Sequence, residues 1–219
     1  NLTKKWNVGI IIVHTKHRRK IMSKVLYITA TPKALETSYT LKMAKKFIEE
    51  YKKLNLDDEV TVLDLYKEDI KPLSLENLQN FFTPDEEMKK YVDQFIAHDK
   101  YVIAAPFWNL SIPAILKVYI DRIVIPGKTF KYTESGAIGL LSEQGKKIKF
   151  IVSRGGVYIN TPMGDYEFGE KYLRGITGFI GIESFETIAF EGAALASPEI
   201  TEKKMEALYP EIERQAKEF

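Results

Sequence analysis

The chain contains no cysteine, and that one absence removes disulfide scaffolds, thiol nucleophiles and cysteine-ligated metals together. It fits a reducing, cytoplasmic setting. Histidine is scarce: His14, His17 and His98 are all there are, none spaced with acids as metal ligands would be. A metal enzyme or a histidine-dependent triad therefore has little to work with. The apolar stretch Val8 to Val13 is far too short to span a bilayer, and no small-residue cleavage site follows it, so neither a membrane span nor a signal peptide is expected. Glycine is absent between Thr29 and Thr40, where a phosphate-binding loop would stand in many nucleotide enzymes. That excludes a GxxxxGK[ST] loop and a GxGxxG fingerprint.

What is present points to one ordinary globular domain. The 219 residues suffice for a single sizeable core, with 45% hydrophobic and 28% charged residues. The first 21 residues hold six Lys and Arg and no acid, so the formal +2 of the whole becomes −4 from Met22 onward. A role in nucleic-acid or lipid binding would rest on that segment alone. Residues 1–21 are read as a disordered or non-native basic extension, and 22–219 as the domain, with neither nucleic acid nor membrane as a partner.

From Met22 short apolar runs alternate with longer helical periods. Strands are expected at Val25–Thr29, Glu59–Asp64, Lys100–Pro106, Lys147–Ser153 and Ser184–Phe190. Helices are expected near Ser38–Leu54, Asp85–His98, Ile112–Val124, Asp165–Gly178 and Thr201–Glu218. Such alternation predicts parallel βαβ units, and five strands predict the flavodoxin-like order 2-1-3-4-5 with helices on both faces. A hairpin is expected between Lys128 and Leu141, and the long Leu65–Thr83 connection marks a functional or interface excursion.

In an open parallel sheet a ligand sits beyond the carboxyl ends of the strands, where strand order reverses. The loops after the first, third and fourth strands meet there. The first leads to Ser38, Tyr39 and Thr40 at a helix start, where free amides and hydroxyls suit a phosphate, although taken alone Thr37 or Ser38 reads more simply as a plain N-cap. The second, Pro106-Phe107-Trp108-Asn109-Leu110, stops a buried strand and forms a rigid aromatic shelf for a planar heterocycle, with Ser111 read as the next N-cap. The third, Ser153-Arg154-Gly155-Gly156, offers backbone amides and glycines free to adopt positive φ. Arg154 reads either as a ligand contact or as a salt-bridging residue.

Taken as a set, Pro106 to Pro113, Gly127 to Glu134, Ser153 to Gly156, Gly178 to Gly181 and Phe190-Glu191-Gly192 resemble the bacterial FMN-dependent NADH-azoreductases, also called FMN-dependent NADH:quinone oxidoreductases. The resemblance runs from Met22 to the C-terminus. It implies a flavodoxin-like homodimer that binds FMN non-covalently and builds each active site where two subunits meet. It assigns Ser38-Tyr39-Thr40 to the phosphate, Pro106 to Leu110 to the isoalloxazine ring and Ser153 to Gly156 to its pyrimidine end. Tyr132 and Phe179 match aromatic positions lining the substrate pocket, with core packing or dimer contact as the other reading of each. Ala30 and Thr31 stand where many relatives carry Ser or Asn, and the loop before Ser38 is longer than in some.

The implied activity is two-electron transfer from NADH or NADPH, in ping-pong fashion, to flat acceptors such as quinones and azo compounds. The cofactor carries the chemistry, so no side-chain nucleophile is needed. A flavodoxin-like electron carrier is the competing class. Such carriers are strongly acidic, unlike this domain, and have no need of the hairpin and long excursion. A receiver domain shares the strand order, but Thr29-Ala30 and Pro106-Phe107 occupy the places where it needs acids.

Overall fold

Apolar side chains on both faces of a strand demand cover on both sides, and that requirement organises this molecule. The computed structural model describes residues 22–219; the basic segment 1–21, with the disordered extension expected there, lies outside the described residues. The five principal strands are β1 (Lys24–Thr29), β2 (Glu59–Asp64), β3 (Lys100–Ala104), β6 (Lys147–Ser153) and β7 (Ser184–Phe190). They form one parallel sheet in the order β2-β1-β3-β6-β7, the flavodoxin-like order expected. A separate antiparallel hairpin joins β4 (Phe130–Thr133) to β5 (Gly136–Gly139).

Seven helices complete the described residues: α1 (Tyr39–Leu54), α2 (Leu75–Gln79), α3 (Glu86–Ile96), α4 (Ala114–Ile123), α5 (Phe168–Phe179), α6 (Pro198–Glu206) and α7 (Tyr209–Glu218). One core packs Leu26, Ile28, Tyr101, Ile103 and Phe150 against Phe95 of α3, Tyr119 of α4 and Leu173 of α5. The other packs Val25, Val102, Ile151 and Ile188 against Phe47 of α1, Met205 of α6 and Ile212 of α7. Strand period two thus sends alternate residues to opposite layers. In α1 the buried positions Thr40, Met43, Ala44, Phe47, Ile48 and Tyr51 follow the i, i+3, i+4 stripe of a helix lying on a sheet.

Three sequence expectations change. The helix expected over Thr201–Glu218 is two, because Pro210, in the first turn of α7, has no amide to donate to the carbonyl of Glu206, where α6 ends. The helix expected over Asp165–Gly178 starts later, at Phe168, after a 3-10 turn over Pro162–Tyr166, with Glu167 as its cap. Ser111 is not an N-cap: α4 begins after Pro113, and Ser111 is occupied in the shelf.

The excursion after β2 is held from below by Arg122. Its buried guanidinium donates to the Lys71 carbonyl at 2.8 and 3.1 Å and lies 3.6 Å from Glu87. The hairpin sits at the amino ends of the strands, because α4 runs back from the shelf before it and β6 begins after it. Its close seat on the end of α5 explains Gly139: a Cβ there would lie 2.3 Å from the Gly181 amide nitrogen.

Candidate active site

At the carboxyl ends of β1, β3 and β6 a cleft of about 260 Å³ is lined by Lys33, Thr37, Ser38, Tyr39, Pro106, Phe107, Trp108, Ser153, Gly155, Ala193 and Ala194. A larger groove, about 720 Å³, runs along the open edge of β7 past Arg174, Glu186, Glu211 and Arg214. Those charges are already paired with one another or with Lys149, Glu170 and Glu218, and no aromatic shelf faces them. Size alone therefore does not mark the site. The smaller cleft is where chain reversal, helix start and aromatic shelf coincide.

Each wall has a local cause. Ser38 caps α1, accepting from the Leu41 amide at 3.3 Å. The amides of Tyr39 and Thr40 precede any intrahelical acceptor, and the first turn contains no acid, so this end carries uncompensated positive potential. Lys33 is the one charged side chain among the cleft-lining residues. Thr40 is fully buried and turned away from the cleft: its hydroxyl pairs with the Ser153 hydroxyl at 2.7 Å and accepts the Ser153 amide at 3.2 Å. It works as a strut between α1 and β6.

The shelf is a tight turn. Trp108 and Ser111 exchange both backbone hydrogen bonds, at 2.9 and 3.0 Å, around Asn109 and Leu110. Both central residues have positive φ, 48° and 68°, the pattern of a type I′ turn. Asn tolerates that region; a leucine there carries strain of about 1–2 kcal/mol. The strain is held by the surroundings, since the first amide of α5, from Phe168, donates to the Leu110 carbonyl at 3.1 Å. Phe107 is clamped from α5 as well. The fit is close, for a Cβ on Gly169 would lie 3.2 Å from the Phe107 ring.

The third loop differs from expectation in its reason for glycine. Gly155 and Gly156 do not adopt positive φ. The carbonyls of Arg154, Gly155 and Gly156 are taken by amides of Ala193, Ala194 and Gly192, at 3.0, 3.0 and 2.8 Å. The amides of Gly155 and Gly156 have no acceptor among the described residues. A Cβ at Gly155 would make only an ordinary 3.5 Å contact with Ala194, so what glycine keeps here is open space on the cleft side.

Arg154 is resolved by its neighbours: the guanidinium is 1% exposed and bound to Glu167, Glu170 and Glu191 at 3.2, 3.2 and 3.0 Å. It reaches no cleft surface. Burial alone would raise the Glu170 carboxyl, but the hydrogen bond from Arg174 and the Thr187 hydroxyl, with the charges of Arg174 and then Arg154, outweigh it and hold Glu170 below the usual carboxylate range.

Of the residues expected at a cofactor, the cleft brings together Ser38, Tyr39, Pro106, Phe107, Trp108, Ser153 and Gly155. Thr40, Asn109, Leu110, Arg154 and Gly156 stand behind or beside it. Tyr132 and Phe179 are elsewhere. Phe179 ends α5, roughly 16 Å of helix away from Phe168 at the cleft end. Together with the buried Phe130 and the exposed Phe82 they form an aromatic row at the amino end of the sheet. Sequence reasoning missed Lys33, Thr37, Ala193 and Ala194. Lys33 and Thr37 lay inside the loop it examined, while Ala193 and Ala194 follow the edge strand, whose loop folds back beside that of β6.

Known proteins share this fold. The family described as having a flavodoxin-like fold matches residues 23–216. An FMN-dependent NADH:quinone oxidoreductase of Clostridium perfringens is 51% identical over 193 residues, 85% of this chain and 95% of that one. One from Caldicellulosiruptor saccharolyticus is 45% identical over 204 residues, 90% of this chain and all of its own. Among solved structures, an azoreductase from Bacillus anthracis superposes with TM-score 0.83 at 35% identity, covering 90% of this chain and 100% of its own. An FMN-dependent NADH-azoreductase of the same species, solved in complex with FMN, gives 0.78 at 32% identity over 89% of this chain and 98% of its own.

Proposed function

The chain belongs to the flavodoxin-like FMN-dependent NADH:quinone oxidoreductases, and from that premise we propose that its carboxyl-edge cleft holds FMN and passes electron pairs from NADH to quinones and aromatic azo compounds. The observation that carries the reading is the convergence, in one cleft, of a bare helix start, an aromatic shelf and unaccepted backbone amides. Those groups fit the three parts of a flavin mononucleotide: an anion, a flat ring and a polar ring edge.

The residues then divide the work. Lys33 and the amides at the start of α1 neutralise the phosphate. Phe107 and Trp108 support the ring, and the strained Asn109–Leu110 turn fixes the shelf on which they sit. The amides of Gly155 and Gly156 stabilise negative charge at the pyrimidine end, as an oxyanion hole does. When bound, FMN would supply the redox chemistry, a hydride equivalent in from NADH and a hydride equivalent with a proton from water out to the acceptor, which makes the cycle ping-pong. Full cleavage of an azo bond takes two such cycles. The protein holds both partners in turn in one slot and needs no side-chain proton donor of its own.

The slot is completed by a second copy of the chain. At about 260 Å³ the cleft falls below the roughly 300–1,000 Å³ of sites that enclose a ligand unaided. The aromatic row lies at the opposite end of the same sheet, with Phe82 (71% exposed) and Tyr132 (66%) bare to solvent. Exposed apolar groups of this size mark a contact surface. In a two-fold dimer such a row covers the partner's cleft and provides the substrate wall, the role expected of Tyr132 and Phe179.

An anaerobic titration of FMN-loaded protein with NADH, followed by quinone, tests the activity. Bleaching of the flavin by NADH and its recovery with quinone are expected. Flavin that binds but is not reduced would make the protein an electron carrier, and absence of flavin binding would remove the cleft from the argument.

A further inference from the structure

Arg154 is a fully buried cation beside the cleft and is not among the residues lining it. Its three carboxylate partners come from three places. Glu167 caps α5 and Glu170 lies in that helix's first turn; Glu191 follows β7. Two of the partners hold backbone in turn. Glu167 accepts the Glu170 amide at 3.0 Å, and Glu191 accepts the amides of Tyr158 and Ile159 at 3.1 and 3.0 Å. Tyr158 packs edge-on against Phe107, centroids 4.8 Å apart, and the Arg154 guanidinium itself lies 5.8 Å from the Phe107 ring. The next residue along the chain, Gly155, is in the cleft wall.

Resting on the FMN reading above, we propose that Arg154 is a positioning residue. From behind the cleft it fixes the Phe107 ring and the Gly155–Gly156 turn relative to each other, and so sets how tightly FMN is held and how oxidised and reduced flavin are discriminated. The chemical requirement is a planar, multidonor cation. Nη1 serves Glu191 while Nη2 serves both Glu167 and Glu170, a fork that an ammonium point charge cannot reproduce. Among the described residues the three carboxylates pair with two cations, Arg154 and Arg174, leaving the cluster one negative charge in excess. Any slackening of the fork therefore lets like charges push Glu191, and with it the Tyr158 strap, away from Phe107.

Arg154→Ala would strand three carboxylates and is expected to impair folding. The decisive variant is Arg154→Lys in the full chain, which keeps the charge. Three quantities are measured beside wild type: apo melting temperature, Kd for oxidised FMN, and the ratio of Kd values for oxidised and reduced FMN. The expected result is a folded protein whose oxidised-FMN Kd rises about tenfold and whose ratio shifts by a factor of several. Glu191→Gln, which still accepts the strap amides, is expected to shift the same ratio less. The proposal is overturned if lysine restores both flavin quantities to wild type, showing that charge alone suffices. It is equally overturned if melting falls while both stay unchanged, showing a purely structural cluster. Wild-type protein that binds no FMN would instead refute the function reading, a separate outcome.

Discussion

Replacing Thr40 by valine separates two assignments of one hydroxyl. The sequence places Thr40 at the phosphate; the fold makes it a buried strut carrying the Ser153 hydroxyl at 2.7 Å and the Ser153 amide at 3.2 Å. Valine preserves the shape, so no cavity forms and packing drops out of the comparison. What is lost is two hydrogen bonds, and what remains is a Ser153 amide without its acceptor and a Ser153 hydroxyl without its partner. A stranded buried donor costs about 1–3 kcal/mol, so a loss near 2 kcal/mol is expected. For a domain of this length that lowers the apo melting temperature by about 4–8 °C. The assay is thermal unfolding of apo protein together with FMN and riboflavin binding. A strut shared by α1 and β6 disturbs the cleft alike for both flavins, so their affinities should fall by the same factor. Unchanged apo melting with a selective loss of FMN affinity would refute the strut and return the hydroxyl to the phosphate.

Further outcomes follow from the same geometry. Lys33→Gln should weaken FMN binding about tenfold, the scale of one charge-assisted contact of ~1.5 kcal/mol, and leave riboflavin untouched; equal losses for both would take Lys33 off the phosphate. Leu110→Gly should change apo stability in urea by less than about 1 kcal/mol, because relief of left-handed strain, ~1–2 kcal/mol, offsets the lost side chain. A loss like that of an ordinary core leucine truncation, about 2–5 kcal/mol, would show that packing governs the shelf. Glu170 is held below its usual value of 4.5 in the fold, so its contribution to stability is present above that pH and disappears as pH falls through the lower folded value. Acid unfolding of Arg174→Met should accordingly start at higher pH than wild type, and coincident curves would deny the pair that role.

Much of the fold was legible because its signals are local. β2, β6 and β7 begin and end where their apolar runs do, and the α1 stripe is a plain helical period. Pro210 signalled the break between α6 and α7, but a continuous helical period on either side masked it. The shelf was legible as a place and not as a conformation. Nothing about leucine suggests φ of 68°, and only the amide of Phe168, far along the chain, explains why it stays there. Arg154 was undecidable for a like reason, its carboxylates lying 13 to 37 residues away in sequence. Gly155 lies in the cleft wall and Gly156 beside it, and neither uses the positive φ that paired glycines suggest; at Gly155 what glycine keeps is room.

The cleft and the aromatic row occupy opposite ends of one sheet, and under the shared-site proposal this has a genetic consequence. Each site would draw one half from each of two gene products, so a chain damaged only in its cleft and a chain damaged only in its row would be complementary alleles. In the mixed dimer both defects fall on one site, and the other is built from two sound halves. Co-expression of two individually dead alleles would then restore activity that neither shows alone, something no pair of defects within the same half could do.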